Sequence, residues 1–223
     1  MSSTPASRAL VQRLRRLDVC AVSDALDKLG LGGQVTELRQ LAGQARIAGQ
    51  VVTVKLGTGE PPPGPPRHLG CTAIEMSGPD HVIVVEQRTG IEAGSWGGLL
   101  TLGARMRGVA GVVADGPVRD IDEARAYDFP VFGRALTSLT ARGRVVEKGT
   151  QVPIQVGKVE VRPGDYVIAD NSAVVFLPAD QVERVLEAAE AIAAREAAMA
   201  KAILAGTPIG DVMSGSYENM LDH

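Results

Sequence analysis

Arg119 and Asp120 stand side by side at the end of an apolar run, Gly108-Val-Ala-Gly-Val-Val-Ala-Asp-Gly-Pro-Val-Arg-Asp120, and bring a permanent cation and a carboxylate to one place. The guanidinium is a planar fork that can grip a carboxylate at two points, and the carboxylate offers hard oxygen to a divalent cation. Such a pair suits an anionic oxo-acid. An isolated Arg-Asp dipeptide is more often a helix-start carboxylate beside a solvated arginine, so the surroundings decide the reading.

Other reactive side chains rank below this pair. His68, next to Arg67 in a loop, is a candidate proton donor or carboxylate contact, with a plain surface histidine as the equal alternative. Asp115 is a candidate to orient Arg119 or the waters of a metal, against an equal case for a role in a turn formed by Asp115-Gly116-Pro117. Arg142 and Arg144 are candidates for a second carboxylate, or solvated loop cations. Glu86 and Asp170 read as strand-end acids. Trp96, the sole tryptophan, walls the pocket or packs, and packing is favoured. Cys20 and Cys71 lie far apart without a Cys-x-x-Cys pattern, so neither zinc nor a disulfide is expected and both read as buried thiols. His81 begins a strand and His223 ends the chain, which disfavours a histidine metal site.

The chain has 223 residues with 23 basic and 26 acidic side chains. It therefore lacks the basic excess of a nucleic-acid wrapper. Aromatic residues make up 3 %, too few for a base-stacking platform. Arg8, Arg13, Arg15 and Arg16 form the one basic cluster, read as a solvated helix face or a subunit contact. No run is long and apolar enough for a membrane span, and the start lacks a signal-like apolar core. A cytoplasmic protein with a small-molecule substrate is the expectation.

The elements that must position the pair follow from periodicity. Two helices are expected between about 6 and 30, with Ser23 or Asp24 capping the second. Gln50–Leu56 reads as a strand, followed by Gly57–Pro66, where five prolines and three glycines exclude regular structure. His81–Glu86 reads as a buried strand and Gly97–Arg107 as a helix with Leu99, Leu100, Leu102 and Met106 toward the core. Gly111–Ala114, Ile121–Tyr127 and Phe129–Phe132 complete a strand, helix, strand alternation, which implies a parallel α/β core. Val145–Val161 alternates, and Tyr166–Asp170 with Val174–Leu177 forms a hairpin around Asn171-Ser172. Ala179–Leu204 is a long helix with Val182, Leu186, Ala189 and Ala193 on its apolar stripe. A single domain over 1–223 is expected, closed by the helix and tail from about 179.

With these elements placed, the chain resembles the RraA-like family, which includes the 4-hydroxy-4-methyl-2-oxoglutarate/4-carboxy-4-hydroxy-2-oxoadipate aldolases. The match is carried by Val22-Ser-Asp-Ala-Leu26 with Gly30, Trp96-Gly-Gly-Leu-Leu100, Arg107-Gly-Val-Ala-Gly111, Asp115-Gly-Pro-Val-Arg-Asp120, Phe129-Pro-Val-Phe132 and Val161-Arg-Pro-Gly-Asp165. The resemblance implies an α/β fold, a swivelling αββα sandwich similar to a phosphohistidine domain, with a mixed sheet and a long C-terminal helix. It implies homotrimers or hexamers with sites between subunits. It implies Mg2+ or Mn2+ held by Asp120 and waters, Arg119 on the pyruvoyl part of the substrate, and the substrate carboxylate on the backbone N–H groups of Gly97, Gly98, Leu99 and Leu100. Two family acids are replaced here, by Gly98 and by Thr207. Asp211 or Glu218 is a substitute for the second.

The function this implies is a metal-dependent carbon–carbon lyase on a small oxo-acid, releasing pyruvate by aldol cleavage, with oxaloacetate decarboxylation alongside. The alternative is a non-catalytic regulator of an RNA-degrading endonuclease. Quinone methylation has no support, since no glycine-rich nucleotide fingerprint is present.

Overall fold

The computed structural model describes residues 4–65 and 67–213. Two helices come first. In α1 (Pro5–Leu14) the side chain of Thr4 accepts from the Ser7 N–H at 3.1 Å and proline occupies the start, as a capped helix requires. α2 (Val19–Lys28) is capped by Asp18, whose carboxylate accepts from the Ala21 N–H at 2.9 Å. The cap thus precedes Ser23 and Asp24, which lie inside the helix.

The elements that follow are β1 (Gln34–Val35), β2 (Arg39–Ala42), β3 (Ile47–Gly57), α3 (Cys71–Met76), β4 (His81–Glu86) and α4 (Gly98–Met106). They continue as β5 (Gly111–Val118), α5 (Ile121–Ala126), β6 (Val131–Leu136), β7 (Val146–Thr150), β8 (Ile154–Val156), β9 (Val159–Val161), β10 (Tyr166–Ala169) and β11 (Val174–Leu177). The long α6 (Val182–Leu204) and the short α7 (Ile209–Val212) close the described chain. The main sheet runs β1-β11-β10-β3-β4-β5-β6-β2, with β7 on the end of β3 and β8-β9 as a separate ribbon. From β3 to β6 the neighbours are parallel, while β10 pairs antiparallel with both β3 and β11. The expected parallel core and antiparallel second half are both present.

Three apolar clusters define the layers. α3, α4 and α5 cover one sheet half through Val52, Ile83, Val85, Ala114, Trp96, Leu100 and Ala124. α1, α2 and α6 cover the other through Val11, Val22, Leu26, Ile168, Leu177 and Leu186. The sheet curls so that Val51, Val84, Val113 and Phe132 meet Val167, Val174 and Phe176 between the halves. Helices outside and two sheet halves inside make an αββα sandwich, as expected, and α6 is the long C-terminal helix.

Other local expectations also changed, and β1, β2 and α3 are elements that the sequence reading did not anticipate. Asp115-Gly116-Pro117 is not a turn: β5 runs through to Val118, and its register against β6 shifts between Ala114 and Pro117. A proline inside a paired strand is accommodated at such a bulge. Leu99 and Met106 are 87 % and 76 % exposed, because the buried side of α4 is Leu100, Thr101 and Ala104. Cys20 is exposed and Cys71 half-buried, so neither is a buried thiol. The strand expected at Phe129–Phe132 begins at Val131 and reaches Leu136, since Pro130 has no N–H to pair. Glu218 and the rest of the tail beyond 213, His223 included, lie outside the described residues.

Candidate functional site

β5 carries the pair to the molecular surface. Its end is held on both sides: Thr137 N–H donates to the Val118 carbonyl at 2.9 Å, and Ser95 N–H donates to the Pro117 carbonyl at 2.8 Å. The Arg119 N–H donates in turn to the Trp96 carbonyl at 3.0 Å. Asp120 then adopts the left-handed conformation at φ 56° and caps the start of α5. That region is uncommon for non-glycine residues but is several-fold enriched in aspartate, and residues held there gather at functional sites.

The two side chains converge. Arg119 Nε donates to both carboxylate oxygens of Asp120 at 3.2 Å, and Gly98 N–H donates to Asp120 Oδ2 at 3.1 Å. Both side chains remain about a third exposed, 34 % and 35 %. The site is therefore a guanidinium, a carboxylate and the N-terminus of α4 in one solvent-open place.

Glycines make this approach possible. A Cβ on Gly94 would lie 2.9 Å from Cγ and Cδ of Arg119, and one on Gly97 would lie 3.0 Å from Asp120 Oδ2. A Cβ on Gly98 would be 3.2 Å from Asp120 Cβ and 3.6 Å from Glu123 Cβ. Position 98, where related aldolases are expected to carry an acid, thus borders Asp120 directly. Glu123, on the exposed face of α5, is a carboxylate beside this space that the sequence reading missed. Its signal was its spacing, three residues after Asp120 on a helix start, which shares one face.

The remaining candidates fall elsewhere. Asp115 is fully buried and serves neither a turn nor Arg119: it pairs with Arg134 and, at 3.7 Å, with Arg88, and accepts from the Gly157 N–H at 2.8 Å. It ties the β8-β9 ribbon to the sheet. Glu86 acts alike, accepting from Gln155 N–H at 2.8 Å, and Asp170 accepts from Val19 and Ser172 N–H. His68 is exposed with Nδ1 3.0 Å from the Leu69 carbonyl. It lines a cleft of about 940 Å3 with Arg67, Thr72 and Arg142 that does not include Arg119 or Asp120. Arg144 bonds the Thr140 carbonyl. Thr207 follows α6 and Asp211 lies within α7, which packs on α6, and both are exposed.

Among the described residues no group of three or more His, Cys, Asp or Glu side chains is arranged to hold a metal. A closed protein cage is therefore not on offer. Asp120 alone suits a hard cation that keeps most of its water, such as Mg2+ or Mn2+, because its two oxygens retain lone pairs beyond the three contacts above. A single solvent-open carboxylate is chemically compatible with an ion of that class.

Comparison with known proteins gives a consistent picture. A family profile described as RraA-like (Aldolase/RraA) matches residues 19–176. A Halalkalibacterium halodurans protein provisionally named 4-hydroxy-4-methyl-2-oxoglutarate aldolase is 30% identical over 193 residues, covering 86% of this chain and 88% of that one. Protein DlpA of Legionella pneumophila is 29% identical over 90% of this chain, which spans only 32% of DlpA. The crystal structure of an uncharacterized Pseudomonas syringae pv. tomato protein matches with a TM-score of 0.82 at 27% identity, over 94% of this chain and 99% of that one. A Thermus structure described as the RNA-processing inhibitor RraA matches at TM-score 0.58 and 28% identity, over 70% of this chain and 92% of its own.

Proposed function

The chain belongs to the RraA-like family, and from that membership and the Arg119–Asp120 pair we propose that it is a carbon–carbon lyase acting on a small oxo-acid. The reaction is aldol cleavage releasing pyruvate, with oxaloacetate decarboxylation as a related activity. The observation that carries this reading is the convergence of the Arg119 Nε and the Gly98 N–H on the Asp120 carboxylate, each within 3.2 Å of it. The relative named for aldolase activity supports the reaction class.

Each residue has a part. Asp120 takes the Nε of Arg119, so the terminal amino groups of the guanidinium remain as donors to a substrate carboxylate. The first N–H groups of α4 have no acceptor within the helix. That of Gly98 goes to Asp120, which leaves those of Leu99 and Leu100 to favour the same anion. Asp120 is the residue that would hold Mg2+ or Mn2+, which when bound supplies Lewis-acid stabilisation of the negative charge left after bond cleavage. Glu123 borders the space beside position 98 and is assigned the proton transfer that Gly98 and Thr207 cannot perform.

The test is pyruvate release from an oxo-dicarboxylate by the purified protein with added Mg2+. Arg119→Ala and Asp120→Ala are each expected to lower turnover by at least about 100-fold, the scale of losing one electrostatic stabiliser. Glu123→Gln is expected to cost about 100-fold or more. Turnover that survives a chelator sinks the metal role. The Thermus inhibitor-like structure favours a second reading, an RNA-processing regulator: slowed cleavage by an RNA-degrading endonuclease, without any lyase activity, would select it.

A further inference from the structure

The Gly97–Gly98 peptide is the most rotatable link in the site and also the one that must point correctly, since its N–H meets Asp120. No side chain restrains it, since both residues are glycine and a Cβ at either would lie 3.0 to 3.2 Å from Asp120. The restraint comes from behind. The carbonyl oxygen of Gly97 accepts from the Thr101 N–H at 2.9 Å and from Thr101 Oγ1 at 3.0 Å. Thr101 Oγ1 itself accepts from Trp96 Nε1 at 3.0 Å. Trp96 and Thr101 are each 1 % exposed.

We propose that Thr101 and Trp96 are positioning residues for the Arg119–Asp120 site, acting through the Gly97–Gly98 peptide. A peptide group is planar and trans, so pinning its oxygen from the core fixes the direction of the N–H on its far side, at Asp120 Oδ2. Trp96 serves both members of the pair, because its own carbonyl accepts the Arg119 N–H while its indole orients Thr101. A threonine hydroxyl bonding back to the carbonyl four residues earlier is common in helices. Here that hydroxyl is buried, is itself held by an indole, and the carbonyl belongs to the peptide that touches the site. The chain indole, hydroxyl, peptide, carboxylate links the core to the ligand position.

This inference rests on Arg119 and Asp120 being the substrate site, and the test separates the two. Binding of oxalate in the presence of Mg2+ is measured by calorimetry, and in parallel by the emission of Trp96, the sole tryptophan. Thr101→Val is expected to weaken binding about tenfold, comparable to misplacing one site contact, while Thr101→Ser stays within about twofold of the native protein. The double variant Trp96→Phe/Thr101→Val removes donor and acceptor together and regains melting temperature relative to Thr101→Val, yet its binding stays weak. In the native protein, Trp96 emission shifts at the same midpoint as the heat signal. Native-strength binding by Thr101→Val, recovery of binding along with stability in the double variant, or an unresponsive Trp96 overturns the proposal while leaving the lyase reading intact. Failure of the native protein to bind oxalate or turn over overturns both.

Discussion

Gly94 shows how little freedom the reactive pair has. It stands away from the chemistry in sequence, yet its backbone lies against the methylenes of Arg119, and its N–H donates to the Leu139 carbonyl at 2.9 Å. Gly94→Ala is expected to displace the guanidinium, weakening oxalate binding in the presence of Mg2+ by about 10- to 100-fold, as misplacements near 1 Å do. Unchanged binding would mean that Arg119 has room to adjust. His81 makes a different kind of prediction. It is 6 % exposed, Nδ1 faces the Gly78 N–H at 3.1 Å, and burial holds its pKa below the ordinary value, with the nearby Asp80 acting in the opposite sense. The unfolded chain therefore binds more protons than the folded one below about pH 6.5. Stability from this site is complete above that range and is lost as pH falls through it. The melting temperature should decline between pH 7.5 and about 5.5, and His81→Asn, which keeps an acceptor, should flatten that decline.

The elements near the site depend on buried charge as well as apolar packing. The β8-β9 ribbon is held to the ends of β4 and β5 by Glu86 and Asp115, which accept the Gln155 and Gly157 N–H groups at 2.8 Å. Removing Asp115 leaves Arg134 and that N–H without their partner. Asp115→Ala is expected to cost roughly 1.5 to 3 kcal/mol, the scale of losing hydrogen bonds to a charged group, read as a lower urea midpoint. An unaltered midpoint would show that the ribbon is held by Ile154, Val156 and Val161 alone. On the other side, α2 and α6 bring carboxylates together: burial and neighbouring acids raise the pKa of both Asp24 and Glu196, and Asp18 acts on each. A carboxyl with a raised folded pKa adds stability when protonated and loses it as pH rises. Glu196→Gln should therefore raise the melting temperature at pH 7, and a fall would show that these acids do not repel.

For the molecule as a whole, the exposed apolar residues carry the argument. Leu99 and Met106 on α4 and Leu204 and Ile209 near the end of α6 are 63 to 88 % exposed. A homotrimer or hexamer, as the sequence resemblance implies, is proposed to cover them. Light scattering of the native protein should give a mass at least three times that of one chain, and Leu204→Glu should reduce it. A native monomer would end this reading. Among the described residues, no helix is long and apolar enough to cross a membrane.

The β4-α4-β5-α5-β6 alternation, and the juxtaposition of Arg119 with Asp120, could be read directly from the residues, because apolar periodicity and adjacency are local properties, whereas β1, β2 and α3 went unread. The parallel run from β3 to β6 was visible for the same reason: short β-branched strands alternate with amphipathic helices. What only folding settled is non-local. Asp115 looks like a neighbour of the site along the chain, but strand alternation and the bulge at Gly116-Pro117 send its carboxylate to the other side of the sheet, toward Arg134. Gly94, Thr101 and Glu123 carry no signature of their own and acquire a role because β5, α4 and α5 meet at one surface. Sequence neighbours share a strand end, whereas a site is made by whatever the layers press together.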